Sequence, residues 1–418
     1  MTTINGVSSP AQSATATRWT QLVLGLIAMM SISSPQYGWA FFTKPLQDSL
    51  SVHLSALQVT FTILIVLQTF LSPLQGYLID KFGARLLIAS GCLLSGLGWI
   101  AAGHVTTLAG LYLTYGLFCG IGTGIVYVGV VGLMVRWFPD RRGFATGVVA
   151  AGYGFGALLT NTPIYNMINA SGYQHTLIVF GIILGVVGAA AALALRLPTA
   201  DDVLPQPTVE VSRVGTPPYQ MLRSNVFWLM FVMMTMMSTG GLMIISQFGA
   251  FSRDFGVTSV TVWGMAALPL ALNIDRITNG LTRPFFGWLS DRIGRENTMA
   301  IAFLLEAAAV TLMLLLRDNA MAFVLLSGVV FFGWGEIFSL FPSTLTDTFG
   351  TKHATTNYGL LYMAQGVGSI LGGPLAALLC EQTGSWIPVF AIVIAMDALT
   401  GILALVALKP MRHAYAAR

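Results

Sequence analysis

Two arginines, Arg276 and Arg283, lie inside a stretch of chain whose other residues are mostly apolar. Seven residues are two helical turns, so both side chains leave the same face of a helix, about 10 Å apart. Counting back from Asp291, where polar residues resume, Arg283 is about 12 Å and Arg276 about 22 Å along the helix, which brackets a membrane midplane. A cation at that depth costs about 3 kcal/mol even on permissive scales and persists only if it is paired, wetted by a cavity or facing an anion. Two readings follow. Each arginine is either neutralised by a buried carboxylate, with Asp275, Glu306, Glu336 and Asp397 as the available partners, or it binds an anionic ligand. An Asp275–Arg276 pair has poor geometry, because adjacent residues on a helix point in different directions.

Groups suited to enclosing a small anion occur at similar depth in other segments. They are Gln36 and Tyr37 early in the chain, Tyr127, Tyr153, Trp334, and the pair Tyr362 and Gln365, with Asn279 between the two arginines. Any one of these is more often core than ligand contact. Together they could wall a cage in which Tyr hydroxyls donate and an arginine supplies the counter-charge.

Other chemistries find no support. Cys92, Cys119 and Cys380 fall in apolar segments without a CxxC, so they read as packing residues and not as a disulfide framework or zinc site. The five histidines form no HxxxH, and no Ser/His/Asp set shares one depth. Gly120, Gly122 and Gly124, like Gly152, Gly154 and Gly156, neither complete GxGxxG nor follow a strand. Without a Walker A sequence the chain cannot hydrolyse ATP in that way, so any transport it performs would draw on a gradient or on exchange. No metal or cofactor is expected.

The elements that must position these groups follow from composition. Of 418 residues, 55% are hydrophobic and 9% charged, with mean hydropathy +0.77. A soluble enzyme is excluded by that balance. Spans of about 20 residues with short loops need about 35 residues each, which leaves room for about twelve helices. Apolar runs place them at about 19–45, 55–79, 85–104, 107–136, 143–169 and 174–196, then 225–252, 258–290, 298–316, 320–346, 354–381 and 386–408. Residues 1–18 and 409–418 are left as tails, and the apolar run after Arg18 is too long for a signal-peptide core. The stretch 197–224, rich in proline and charge, reads as a linker between bundles 19–196 and 225–408. The expected fold is an all-α membrane protein of twelve helices in two pseudo-symmetric halves. Gly116, Gly120 and Gly124, and Gly368 with Gly372, give smooth faces for close helix packing.

The net charge of +4 and pI near 9.0 do not indicate nucleic acid, since no more than two basic residues are consecutive. With the N-terminus in the cytoplasm, fifteen Lys and Arg lie inside and only Lys44, Arg253 and Arg317 outside, leaving Arg276 and Arg283 of the twenty. Both termini are therefore expected in the cytoplasm.

The second helix ends Gly76-Tyr-Leu-Ile-Asp80-Lys81-Phe-Gly83-Ala-Arg85, and the eighth ends Gly287-Trp-Leu-Ser-Asp291-Arg292-Ile-Gly294-Arg295, with the two aspartates 211 residues apart. These loops resemble the signature loop of the major facilitator superfamily. Within it, Gln36-Tyr37-Gly38-Trp39, Arg136 to Gly143, Ala151 to Gly154, Asn279 to Pro284, Trp334 to Pro342 and Asn357 to Tyr362 resemble the bacterial oxalate/formate antiporters along essentially the whole chain.

The resemblance implies a secondary carrier of the bacterial cytoplasmic membrane, exchanging small carboxylates across the bilayer by alternating access; nothing in the sequence suggests an obligate oligomer, so a monomer is expected. It also implies that Arg283, which precedes Pro284, binds substrate carboxylate, which ranks it above Arg276. Asp80, Arg85, Asp291 and Arg295 would form gating contacts at the cytoplasmic ends. The sequence departs from the family at Gln365, where the family has a lysine for a second carboxylate, at Tyr362 in place of tryptophan and at Phe338 in place of tyrosine. Either Arg276 meets the second charge of oxalate or the substrate is a monocarboxylate. Symport of a monocarboxylate with a proton, carried by Asp275, Glu306 or another buried acid, is the rival mechanism. An anion sensor is the rival of another class, disfavoured by the short tails.

Overall fold

A computed structural model of the chain describes residues 10–416, apart from 53, 203, 207–214 and 258–259. The long helical segments before the linker are Pro10–Ser31 continued by Ser34–Tyr37 and Trp39–Leu50, Leu54–Phe70 with Ser72–Phe82, Ala84–Ala102, Leu108–Trp137, Arg142–Ser171 and Tyr173–Leu193. After it come Asn225–Asp254, Ala267–Ile293, Arg295–Leu315, Ala320–Trp334 with Ile337–Phe349, Ala354–Thr383 and Ile387–Ala416. They are called the first to twelfth segments below.

Among the described residues, nine helices are long and apolar enough to cross a membrane, and the pair Val59–Phe70 and Ser72–Phe82, bent by 48°, makes a tenth. The remaining two fall short for a visible reason. The first segment spends its opening turns on polar residues around Arg18 and Gln21, and the eighth carries Asp275, Arg276 and Arg283.

Several boundaries differ from expectation. The first helix starts at Pro10, not 19, and breaks before Ser34-Pro35, because proline lacks the N–H that would continue the ladder. The eighth starts at Ala267, not 258. Thr261–Val262 pairs with Met265–Ala266 as an antiparallel hairpin, and Trp263 and Gly264, with φ of 52° and 77°, make its two-residue turn. The last helix continues beyond 408 to Ala416, held where Arg412 bonds Glu296 and Thr348 and Tyr415 packs on Phe349.

The linker is anchored at both described ends. Arg196 binds Asp202 through two bonds of 2.6 and 2.8 Å and holds its carboxyl well below the usual carboxylate range. At the other end Thr216 donates to Phe349 O at 2.8 Å and accepts from Asn357 at 3.1 Å.

Close packing follows the small residues. Gly116, Gly120 and Gly124 all lie against the second segment, near Ile63, Leu64 and Gln68, and Gly368 and Gly372 lie against Ser238 and Thr239 of the seventh. The repeated loops match in backbone as well as sequence, since Gly83 and Gly294 adopt φ of 92° and 95°. That left-handed region is costly for any residue with a Cβ.

Candidate functional site

The two repeated loops lie at one end of the molecule, and that end is sealed. Asp80 accepts from Thr356 N at 2.8 Å and Thr356 Oγ1 at 2.6 Å, at the start of the eleventh segment. Asp291 accepts from Gly143 N at 3.1 Å and Phe144 N at 3.0 Å, at the start of the fifth. Each carboxylate thus satisfies the free N–H groups and faces the positive dipole end of a helix in the opposite half. Arg142 adds a third crossing, donating to Asp347 at 2.5 Å, and Asp347 also accepts from Arg295 at 2.8 Å.

The expected gating residues are thus brought together with one exception. Arg295 bonds Asp291, but Arg85 is exposed and enters none of the described ion pairs. In the eighth segment the arginine follows Gly294 directly, whereas Arg85 comes one residue later after Gly83, and one residue rotates a helical side chain by 100°. Arg136 makes the contact to the aspartate instead, reaching Asp80 at 2.5 Å and Thr351 O at 3.2 Å. Arg85→Ala is therefore expected to shift stability by less than about 0.5 kcal/mol. Arg136→Ala, which strips a nearly buried Asp80 of its cation, should cost about 3 kcal/mol. Thermal unfolding of the two purified variants decides it; equal shifts would refute the assignment.

From the sealed end, the fifth and eighth segments run together as a tight seam. A Cβ on Gly287 would lie 2.1 Å from Gly143 O, and one on Gly147 would lie 2.3 Å from Arg283 O, so the backbones touch. Pro284 interrupts the eighth helix beside Arg283 by removing one N–H. Thr282, on the neighbouring face, donates to Phe332 O where the tenth segment breaks between Trp334 and Ile337.

Arg283 itself is 2% exposed. Its Nε and Nη2 donate to Asn279 Oδ1 at 3.2 and 2.8 Å, and Nη1 donates across the seam to Ala150 O at 2.6 Å. Its guanidinium carbon lies 4.6 Å from the centre of the Phe338 ring. No described ion pair includes it, so none of the four carboxylates considered from sequence neutralises it. Both oxygens of Asp275, Glu306, Glu336 and Asp397 are buried without a hydrogen-bond partner.

Phe338 joins this cation to a cluster of aromatic rings. Tyr127 stacks on Tyr362 at 4.9 Å and meets Tyr153 edge-on at 5.4 Å and Phe338 at 6.3 Å. Tyr37 packs edge-on to Tyr153 at 5.3 Å. Tyr153 donates to Gln36 at 2.6 Å, and Gln68 donates to the Tyr362 hydroxyl at 3.0 Å. The hydroxyls of Tyr127 and Tyr358 are both buried without a hydrogen-bond partner. Gln365 is 7% exposed with its carbonyl oxygen unpartnered. Trp334 packs on Phe338 at 5.5 Å, but its N–H is committed to Met237 O at 2.9 Å, so it offers a wall and not a donor.

Toward the other end a cavity of about 200 Å³ opens between the halves, lined by Tyr37, Gly154, Phe248, Asp275, Arg276 and Asn279 among others. Asn279 touches both this cavity and Arg283, so it separates the open space from the buried cation by one helical turn. Arg276 enters none of the described ion pairs and stands at the cavity, above the cage.

Sequence reasoning missed Gln68, Tyr358 and Asp347. Gln68 is the one amide of the stretch 59–71, and that was the available signal. Tyr358 lies one turn from Tyr362, on the same face. Asp347 could be read only with its partners Arg142 and Arg295, which are 205 and 52 residues away.

A multi-span helical protein in two halves, sealed at one end and hollow at the other around a buried cation, is the architecture of a membrane carrier. The family model of the Major Facilitator Superfamily matches residues 22–277 and 270–417, and the chain belongs to that superfamily. It is 34% identical over 376 residues to the oxalate:formate antiporter of Oxalobacter formigenes, covering 90% of this chain and 88% of that one. It is 26% identical to monocarboxylate transporter 13 of Bos taurus, covering 78% of this chain and 74% of that one. Among solved structures it resembles the transporter FucP in the outward conformation, with TM-score 0.69 and 14% identity over 92% of this chain and 97% of that one. The proton:xylose symporter XylE gives TM-score 0.72 with 12% identity over 94% and 96%.

Proposed function

We propose that this chain exchanges small carboxylate anions across a bacterial cytoplasmic membrane, oxalate against formate being the pair handled by its named relative. The observation that carries the reading is Arg283, a buried cation at the seam between the halves with no carboxylate on it. An arriving carboxylate supplies the missing charge, and fork-to-fork bonding with a guanidinium is the strong form of that contact. The tyrosine hydroxyls of the cage are the further donors. Because the basic end faces the cytoplasm by the fifteen-to-three distribution, the sealed end is cytoplasmic and the cavity opens outward. Both termini are then inside, and a single chain contains the whole site.

Binding couples to movement through Nη1. That nitrogen donates to Ala150 O of the other half, and a bound carboxylate competes for the same donor. Occupancy thus loosens the seam while neutralising the charge that would oppose reorientation. Exchange is favoured over leak because the empty carrier must move a bare cation.

Gln365 favours a single negative charge, since an amide donates a hydrogen bond but cannot neutralise a second carboxylate. The test is uptake of labelled oxalate into proteoliposomes loaded with formate, oxalate, lactate or nothing, for the natural protein and for Gln365→Lys. The expected result is formate or lactate exchange by the natural protein, with oxalate uptake raised at least about tenfold in the lysine variant. Brisk oxalate exchange that the lysine leaves unchanged would instead make Arg276 the second cationic contact. No exchange of any of these anions would refute the carrier reading.

A further inference from the structure

The internal repeat extends beyond its signature loops. At the same 211-residue offset that relates Asp80 to Asp291, Gln68-Thr-Phe-Leu-Ser72-Pro73 of the second segment falls on Asn279-Gly-Leu-Thr-Arg283-Pro284 of the eighth. The two stretches have parallel tasks. Ser72 donates to Gly359 O of the eleventh segment at 2.7 Å, as Arg283 donates to Ala150 O of the fifth, so the residue before each proline reaches a main-chain carbonyl in the opposite half. One turn earlier stands an amide in each. Asn279 accepts from the Arg283 fork at 3.2 and 2.8 Å, and Gln68 donates from Nε2 to the Tyr362 hydroxyl of the eleventh segment at 3.0 Å. The second and eleventh segments pack closely beside that bond, since a Cβ on Gly366 would lie 2.6 Å from Thr69 Oγ1.

The direction of the Gln68 bond decides what Tyr362 can do. A tyrosine hydroxyl has one proton to give and two lone pairs with which to accept. At Tyr362 the Gln68 amide fills the accepting side, and among the described residues no hydrogen bond takes the proton. A hydroxyl that accepts one bond is polarised into a better donor for the next. Tyr153 is wired the other way. It gives its proton to Gln36 Oε1 at 2.6 Å, which makes it a wall of the cage and not a donor to a ligand. The Gln68 carbonyl lies 3.5 Å from that Tyr153 oxygen, so the amide N–H2 is turned toward Tyr362. Gln68, Tyr362 and Arg283 are 2%, 1% and 2% exposed. Tyr362 stacks on Tyr127, and Tyr127 meets the Phe338 ring that lies against the Arg283 guanidinium. A buried donor without an acceptor is costly, and an anion in the cage removes that cost.

We propose that Gln68 is a positioning residue for substrate, holding the Tyr362 oxygen so that the Tyr362 hydroxyl donates its hydrogen bond to the carboxylate on Arg283. The inference rests on the carboxylate-carrier reading and deepens it by assigning the uncharged donor of the site. Its partner is the residue at which this chain has tyrosine where the related antiporters have tryptophan. An indole N–H donates and cannot accept, so a tryptophan could take nothing from Gln68 and would need no partner to aim it. A phenol hydroxyl rotates about its C–O bond, and the amide is what fixes it. A guanidinium on one side and a neutral hydroxyl on the other suit a carboxylate of single charge.

The experiment is counterflow of labelled formate and lactate by the full-length protein in proteoliposomes, with KM and maximal rate measured at equal protein incorporation. Gln68→Met keeps the length of the side chain and removes its hydrogen bonds. It is expected to raise KM about tenfold with the maximal rate within about twofold, the loss of one hydrogen bond to a charged group. Tyr362→Phe should raise KM by a similar factor, and the double variant no further than either alone, because both remove the same bond to substrate. In a Tyr362→Trp background, Gln68→Met should leave KM where the tryptophan put it, since the indole donates unaided. An effect of Gln68→Met that is equal in the tyrosine, phenylalanine and tryptophan backgrounds, or that falls on the maximal rate with KM unmoved, overturns the proposal and makes Gln68 a packing residue. A KM indifferent to both Gln68→Met and Tyr362→Phe, while Arg283→Gln still suppresses exchange, overturns it as well and leaves the carrier reading standing. Exchange of neither anion, nor of oxalate, by the natural protein removes the reading beneath it.

Discussion

Arg283→Gln is expected to lower carboxylate exchange by about two orders of magnitude while the protein still folds and inserts. The guanidinium is the charge a carboxylate needs, and removing one partner of a buried hydrogen-bonded charge pair costs about 3 kcal/mol, or about 150-fold. Stability should not fall in proportion. The guanidinium has no carboxylate to leave stranded, and its partners are the carbonyls of Asn279 and Ala150, which a neutral amide can partly satisfy. Arg283→Lys keeps the charge but is a point donor without the fork that spans Asn279 and Ala150, so it should retain part of the activity. The measurement is counterflow per reconstituted molecule, with thermal midpoint as the control for folding. Full exchange by the glutamine variant would remove Arg283 from the substrate site. A loss shared by a collapse in midpoint would assign it a structural role.

Much of this was readable from residue patterns, and the exceptions share a physical cause. Helical spans are local: a run such as Tyr173–Leu193 must form a helix wherever it lies in a bilayer, since no other backbone partner exists there. The repeated Gly-x-x-x-Asp loops and the two isolated arginines were equally visible, being departures from an apolar background. What failed was geometry that depends on partners distant in sequence or on a turn of a few residues. Arg85 has the right type in nearly the right place, but one residue of offset turns it to the surface. Trp334 sits at the right depth, yet its N–H is claimed by Met237 of another helix. The hairpin at Thr261–Ala266 is too short to compete with a helical pattern by periodicity, and only the positive φ at Trp263 and Gly264 reveals it. The four buried acids were weighed as counter-ions for the arginines, as the alternative to an anionic ligand, because charge balance is a sequence-level idea. Their separation from Arg283 is a property of the packed helices.

Asp347→Asn is expected to open the sealed end. Asp347 is 1% exposed at its side chain and accepts from Arg142, of the other half, and from Arg295, which are 3% and 2% exposed. In the variant Arg142 loses its carboxylate while remaining buried beside a second guanidinium, and breaking such a pair costs about 3 to 5 kcal/mol. That penalty belongs to the sealed form alone, because separation of the halves returns Arg142 to water. A bias of about 3 kcal/mol shifts a two-state equilibrium by about 150-fold, enough to invert one poised a few-fold toward the sealed form. Asp80 and Asp291 keep their contacts to Thr356, Gly143 and Phe144, so the halves remain correctly registered when they do meet. Ser343, which meets Thr146 across the seam at 3.1 Å, is the reporter position. A cysteine placed there, with the native Cys380 replaced by serine, should react several-fold faster with a membrane-impermeant maleimide from the basic side in the Asp347→Asn background. Exchange should slow in parallel, because a carrier held open at one end cannot complete the cycle. Labelling unchanged by the substitution would mean that the Arg142–Asp347 crossing does not hold the gate, and that the aspartates of the repeated loops close it alone.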